Sequence, residues 1–170
     1  DTHPGLGRYE SHILETMRVV DRTFRTIPAP EGRAIGGLSM GGYGAIKLGL
    51  KYPELFGSVA AHSGALDIAA LLGESLCPEL RTIFPDGKMR AEEDPFTLAS
   101  YPGPKPALYF DCGVDDFLIE HNRRFHARLT ELGVAHTYKE FPGNHCWEYW
   151  DKHITAALLF HARKLLACPV

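Results

Sequence analysis

No run of the chain is apolar for long enough to cross a membrane as a helix, and no secretory signal pattern opens it, so no membrane partner is expected. Charge of either sign is never concentrated. Its 18 Lys and Arg are interspersed with 21 Asp and Glu to a formal charge of -3, which leaves no basic stripe for nucleic acid and no acidic tail. Cysteine is scarce: Cys77, Cys112, Cys146 and Cys168 form no C-x-x-C pair and no metal-like spacing with histidine, so unpaired thiols are expected, with neither a metal nor an organic cofactor. There is no internal repeat. The first residue is Asp1 and not methionine, which leaves room for a removed leader or a larger N-terminal segment and keeps the compartment open, with a lean to the cytoplasm.

What remains is ordinary globular material, 170 residues of which 45% are hydrophobic, enough for a single domain over 1–170 with its own core. After a loop at Asp1–Gly7, the spacing predicts a helix over Tyr9–Phe24 with Ile13, Leu14, Met17, Val20 and Phe24 on one face. Arg33–Leu38 reads as a buried strand. Met40–Lys51 reads as a helix in which Gly41, Gly44, Ala45 and Leu48 suit close packing on a sheet. Gly57–His62 is the next strand. Residues 65–106 are irregular, with a short helix expected at Ala65–Leu72, an Asp94 N-cap before Pro95, and a stiff connector at Pro102, Pro104 and Pro106. They read as an insertion over the site. A strand over Ala107–Phe110 running into Asp111-Cys112-Gly113, a helix over Leu118–Leu132 capped by Gly133, a strand over Ala135–Phe141 and a helix over Trp147–Leu166 follow. The alternation predicts an α/β fold, a parallel sheet covered on both faces.

Gly37-Leu38-Ser39-Met40-Gly41 is a G-x-S-x-G run between a predicted strand and a predicted helix, the setting of a nucleophile elbow. A sharp turn there would lift the serine hydroxyl above the sheet and aim the helix N-terminus at the same spot, which suits developing negative charge on oxygen. Glycines two before and two after it would allow neighbouring segments to approach closely. A nucleophilic serine needs a base, and the base needs a carboxylate. Later strand ends offer His62, then Asp111, Asp115 and Asp116, then His145. The order nucleophile, acid, histidine selects Ser39, an aspartate of the 111–116 cluster, and His145. His62 is the rival base, but it precedes the acid strand. A G-x-x-D turn from Gly113 selects Asp116, with Asp115 as the one-residue alternative facing solvent and Asp111 too deep in the strand. His3, His12, His121, His126, His136, His153 and His161 lie in helices, a loop or mid-strand, where solvated or packing roles are expected.

These stretches, together with Ser58-Val59-Ala60-Ala61-His62-Ser63-Gly64 and Gly143-Asn144-His145-Cys146-Trp147-Glu148-Tyr149-Trp150, resemble the esterase D and feruloyl esterase branch of the α/β-hydrolases. That branch also holds S-formylglutathione hydrolases, tributyrin esterases and the mycolyltransferases of the antigen 85 group. The resemblance runs over nearly the whole chain. It implies a carboxylic ester hydrolase acting on small acyl or aromatic esters, with Ser39 as nucleophile, His145 as base, Asp116 as acid and the Met40 N–H in the oxyanion hole. Trp147 and Trp150 are candidates for an acyl or aromatic pocket, as are Tyr149, Phe84, Met89 and Phe96, and core packing is the competing role for each.

The departure from the family lies at the front. Its members carry three or four strands before the first helix seen here, and an early loop gives a second oxyanion N–H. The strand at 33–38 is therefore expected to keep an open edge, and either the chain is a fragment or another copy completes the sheet. Two further classes share these residues: an acyltransferase of the same fold, and a catalytically inactive binding or assembly module.

Overall fold

The computed structural model describes residues 7–73 and 78–165. His3, Cys77, Cys168, Leu166 and most of the expected N-terminal loop lie outside the described residues. Four strands, β1 (Ala34–Leu38), β2 (Ser58–His62), β3 (Ala107–Gly113) and β4 (His136–Phe141), form one parallel sheet in the order β1-β2-β3-β4. The register sets Leu38 beside His62 and His62 beside Asp111, so β1 and β2 end level and β3 runs two residues beyond them to Gly113. The helices are α1 (Tyr9–Thr23), α2 (Met40–Lys51), α3 (Ile68–Gly73), α4 (Pro78–Ile83), α5 (Pro95–Ser100), α6 (Ile119–Glu131) and α7 (Trp147–Leu165), with single 3-10 turns at Pro30–Gly32 and Ala91–Glu93. Only α4 and the two 3-10 turns were not anticipated from the sequence.

Strand periodicity divides the core. Val59, Ala61, Leu108 and Phe110 point to one face, where they pack with Ala45 and Ile46 of α2 and Phe125 and Leu129 of α6. Ala60 and Tyr109 point to the other, against Ala157 of α7. Phe110 and Phe125 are fully buried, and burying each contributes roughly 2–3 kcal/mol. The expected close packing of α2 is real but uses other glycines: a Cβ on Gly49 would meet the Val59 side chain at 2.3 Å and one on Gly42 the Gly64 backbone at 3.1 Å, whereas Gly41 and Gly44 face open space. Ala45 and Leu48, expected on the same face, are buried. The segment after β2 closes a second cluster, Ile68, Leu71 and Phe84 with Met89, against Tyr43 and Leu118, while Phe96 packs into the main core. Phe84, Met89 and Phe96 are thus core residues. Asp94 accepts from the Phe96 and Thr97 N–H groups at 3.1 Å with Pro95 at the first helical position, as expected of an N-cap.

The first helix departs from its sequence reading. Of its apolar face only Leu14 is buried, and Ile13, Val20 and Phe24 are exposed. Polar contacts hold it instead. Glu10 accepts from Lys47 Nζ at 2.7 Å, Lys51 Nζ at 2.8 Å and the Tyr52 hydroxyl at 2.7 Å, and Lys47 also donates to Glu93 at 2.6 Å. Asp21, farther along α1, pairs with Arg33.

Burial works against ionisation of Glu10, but the two ammonium groups and the tyrosine hydroxyl prevail and hold its carboxyl at about 2. Folded-state depression means this contribution is complete above the ordinary value of 4.5 and is lost as pH falls from there toward about 2. Glu10→Gln should therefore lower stability at pH 7 by about 1–3 kcal/mol, and its deficit against the parent should shrink on acidification below 4.5, as followed by urea melts across that range.

Candidate active site

The apolar strand β1 ends at Ser39, whose backbone is at φ 55° and ψ -120°, an unfavourable conformation for a residue with a side chain. Neighbours fix it from two directions. Its N–H donates to the His62 carbonyl at 2.9 Å, and its own carbonyl accepts from the Tyr43 and Ala65 N–H groups, both at 3.1 Å. The turn requires glycine at 37, because a Cβ there would lie 2.4 Å from the Gly41 backbone; Gly41 itself makes no comparable contact. Ser39 is the N-cap of α2, yet its hydroxyl makes no capping bond. Cap hydroxyls usually accept from the second or third N–H of their helix. Here Oγ is 3.0 Å from His145 Nε2 instead. Met40 opens α2, where main-chain N–H groups have no acceptor within the helix.

The other two residues arrive from the ends of β3 and β4. The Asp116 N–H donates to the Gly113 carbonyl at 3.1 Å in a tight turn, and the Asp116 carboxylate accepts from the Leu118 N–H at 2.8 Å. The loop after β4 is pressed onto this turn: a Cβ on Gly113 would meet the Gly143 carbonyl at 2.2 Å, and Gly143, at φ 139°, leaves no room for one against the Tyr149 ring. His145 follows, with Nδ1 at 2.9 and 3.1 Å from the two Asp116 oxygens. The carboxylate can only accept there, so Nδ1 carries the proton and Nε2 is left as acceptor toward the Ser39 hydroxyl. Asp116 is 2% exposed, whereas Asp115 is exposed. The structure thus brings Ser39, His145 and Asp116 into one hydrogen-bonded series and leaves Asp115 out.

Rings flank the imidazole. Phe117 lies at 4.6 Å between centroids and Trp150 meets the imidazole edge-on at 4.8 Å. The two tryptophans separate in role: Trp150 is buried and donates its indole N–H to Ser63 Oγ at 3.2 Å, while Trp147 is 71% exposed. Met40, next to the serine, and Phe117, against the histidine, are also exposed. Sequence reasoning missed Phe117, although its place directly after Asp116 at the strand end was a usable signal. Beside this site a groove of about 520 Å³ runs between α7 and the face of β1 and β2 that it covers, lined by Leu38, His62, Trp147, Trp150, Ile154 and Leu158.

His62, the rival base, lies elsewhere. It shares the α7 side of the sheet with Ala60, is 3% exposed, and its Nδ1 donates to Asp111 at 2.9–3.0 Å. Tyr149 is core, with its hydroxyl donating to Asp111 at 2.9 Å. Among the described residues no group of three His, Cys, Asp or Glu side chains is arranged to hold a metal. Cys112 and Cys146 are both free thiols. Burial, reinforced by Asp116, pushes the Cys112 thiol far up, so it is unreactive.

Known proteins resemble this chain over most of its length. A family model described as putative esterase matches residues 4–161. An acetyl esterase from Caldicellulosiruptor saccharolyticus is 34% identical over 156 residues, covering 82% of this chain and 59% of that protein. The crystal structure of an S-formylglutathione hydrolase from Staphylococcus aureus aligns with a TM-score of 0.80 at 28% identity, over 90% of this chain and 63% of that one. A ferulic acid esterase structure aligns with a TM-score of 0.81 at 26% identity, over 97% and 64%. The sheet and its covering helices are those of an α/β-hydrolase, and the chain spans about three-fifths of the length of these relatives.

Because the collision at Gly37 is with backbone, it cannot be relieved by a side-chain movement. Gly37→Ala should destabilise the fold by about 1–3 kcal/mol and displace Ser39, read as a lowered melting temperature together with loss of labelling by a serine-directed fluorophosphonate.

Proposed function

The chain belongs to the putative esterase family, and from that premise we propose that it is a serine carboxylesterase in which Ser39 is the nucleophile, His145 the general base and Asp116 the residue that orients it. The observation that carries this reading is the 3.0 Å contact between Ser39 Oγ and His145 Nε2, with the buried carboxylate of Asp116 behind the ring. Ser39 attacks the ester carbonyl as its proton passes to His145 Nε2, and the imidazolium so formed is stabilised by Asp116. The Met40 N–H, with the positive end of α2, holds the oxyanion. The alcohol leaves with the proton from His145. Water then enters, gives a proton to the same nitrogen and hydrolyses the acyl-enzyme, which restores the serine.

Small acyl or aromatic esters fit the surroundings. Met40, Phe117 and Trp147 offer exposed apolar surface beside the reacting hydroxyl, and Trp150 backs the base. The open edge of β1 is part of the same proposal. Residues 34–38 carry no charge and no proline, the usual guards of a free edge, and Ile154 and Leu158 stand exposed alongside. In a chain that stands alone a second copy completes the sheet there, whereas in a longer protein further strands of the same chain do.

Ser39→Ala is expected to reduce turnover of a short p-nitrophenyl ester to background and to abolish fluorophosphonate labelling, with the label on the wild-type chain mapping to the peptide containing Ser39. Turnover retained in the variant would dismiss the nucleophile. Light scattering should give a species of twice the 18.9 kDa chain mass; a monodisperse monomer with full activity would dismiss completion by a second copy.

A further inference from the structure

Beneath the reacting groups lies a second polar cluster that the esterase mechanism leaves unused. Asp111, fully buried on β3, receives three donors: His62 Nδ1 at 2.9–3.0 Å, the Tyr109 hydroxyl at 2.8 Å and the Tyr149 hydroxyl at 2.9 Å. Tyr109, Tyr149 and His62 are each at most 3% exposed. A buried carboxylate with good donors on both oxygens is held firmly, since moving it would strand a charge away from water. Burial, and then the charge of Asp111, raise both tyrosine hydroxyls well above their ordinary value, so they stay protonated and remain donors.

The partners of Asp111 lead to the two ends of the reacting pair. His62 is the residue whose carbonyl accepts the Ser39 N–H at 2.9 Å, so the ring that meets Asp111 and the carbonyl that holds the strained serine belong to one residue. Tyr149 stands in the first turn of α7, four residues after His145, and its ring closes on Gly143 in the loop that carries that histidine. We propose that Asp111 is a positioning residue that sets the separation of Ser39 and His145, acting through His62 on one side and Tyr149 on the other. Tyr109, from the same strand, fixes the rotation of the carboxylate. His62 Nε2 is buried with no hydrogen-bond partner, so Asp111 is what orients that ring.

This rests on the reading of Ser39 and His145 as nucleophile and base. The test is a double-mutant cycle of Asp111→Asn and Tyr149→Phe, with kcat and KM for a short p-nitrophenyl ester expressed per site titrated by fluorophosphonate. A purely structural role would lower the number of titratable sites and leave kcat per site unchanged. Small misplacements of reacting groups cost up to about 100-fold, so Tyr149→Phe should lower kcat per site about 3- to 10-fold and Asp111→Asn about 10- to 100-fold, with KM within about twofold of the parent. Because both act through one contact, the double variant should be no slower than Asp111→Asn alone. Where Asp111→Asn does not fold, Tyr149→Phe decides. Unchanged kcat per site in Tyr149→Phe, or losses that multiply in the double variant, would overturn the inference. A parent chain that takes no label at Ser39 overturns the nucleophile assignment and this inference with it, whereas a labelled parent with unaffected variants overturns this inference alone.

Discussion

Ser39 occupies a backbone conformation that neither the strand before it nor the helix after it supplies, and much of the neighbouring chain exists to keep it there. A non-glycine residue in a sparsely populated region stores on the order of 1–3 kcal/mol, which must be offset by contacts around it. His62 takes its N–H, Ala65 and Tyr43 bond its carbonyl, and Gly37 lets the strand pass within contact of the Gly41 backbone. Ser63, at φ 48°, bends the end of β2 so that its own N–H reaches the Asp111 carbonyl at 2.7 Å while Ala65 reaches Ser39. The hydroxyl is thereby withheld from capping α2. A serine that capped its helix would be worth about 1 kcal/mol to stability, and that contribution is forgone so that Oγ faces an imidazole.

Among the described residues there are two histidine–aspartate pairs, and only one of them is turned toward the hydroxyl. Side-chain alternation along the strands decides which. Ala60, His62, Tyr109 and Asp111 share the side of the sheet that α7 covers, so the His62 ring is directed beneath the helix. His145 and Asp116 lie past the ends of their strands, in turns free of the two-residue period, and can be aimed at the serine. The same chemical pair is therefore enclosed beneath a helix in one place and turned toward the Ser39 hydroxyl in the other.

Most of the elements were legible because their signals are local. The strand–turn–helix around Ser39, the Asp94 N-cap and the Gly133 terminus, where glycine takes φ 66°, each rest on a few consecutive residues. The order of Ser39, Asp116 and His145 was legible for the same reason, since each sits beside a recognisable strand end. What failed depended on partners distant in sequence. The apolar residues of α1 have a helical period but almost nothing to bury against among the described residues, and the tie through Glu10, Lys47 and Lys51 joins positions about forty residues apart. Of the α2 positions the spacing favoured, Ala45 and Leu48 are buried, but the glycines that touch the sheet are Gly42 and Gly49 and not Gly41 and Gly44, since each step along a helix turns it by roughly 100°. The Asp111 cluster draws on β2, β3 and α7, and a buried aspartate in an apolar strand could be recognised as an anomaly without its partners being identifiable.

An open edge next to Ser39 is a reason to expect a loose site, yet the contacts run the other way. β1 is one of the two edge strands, and Ala34 and Gly36 on it are exposed. Ser39, however, is held by His62 and Ala65, which follow from β2, and its partners come from β3 and β4. The hydrogen bonds that fix Ser39, His145 and Asp116 therefore come from β2, the turns after β2, β3 and β4, and the first turn of α2, and none uses the open edge of β1. The groove beside Trp147 and Leu158 lies along β1 and α7, whereas hydroxyl, imidazole and carboxylate meet past the ends of β1, β4 and β3.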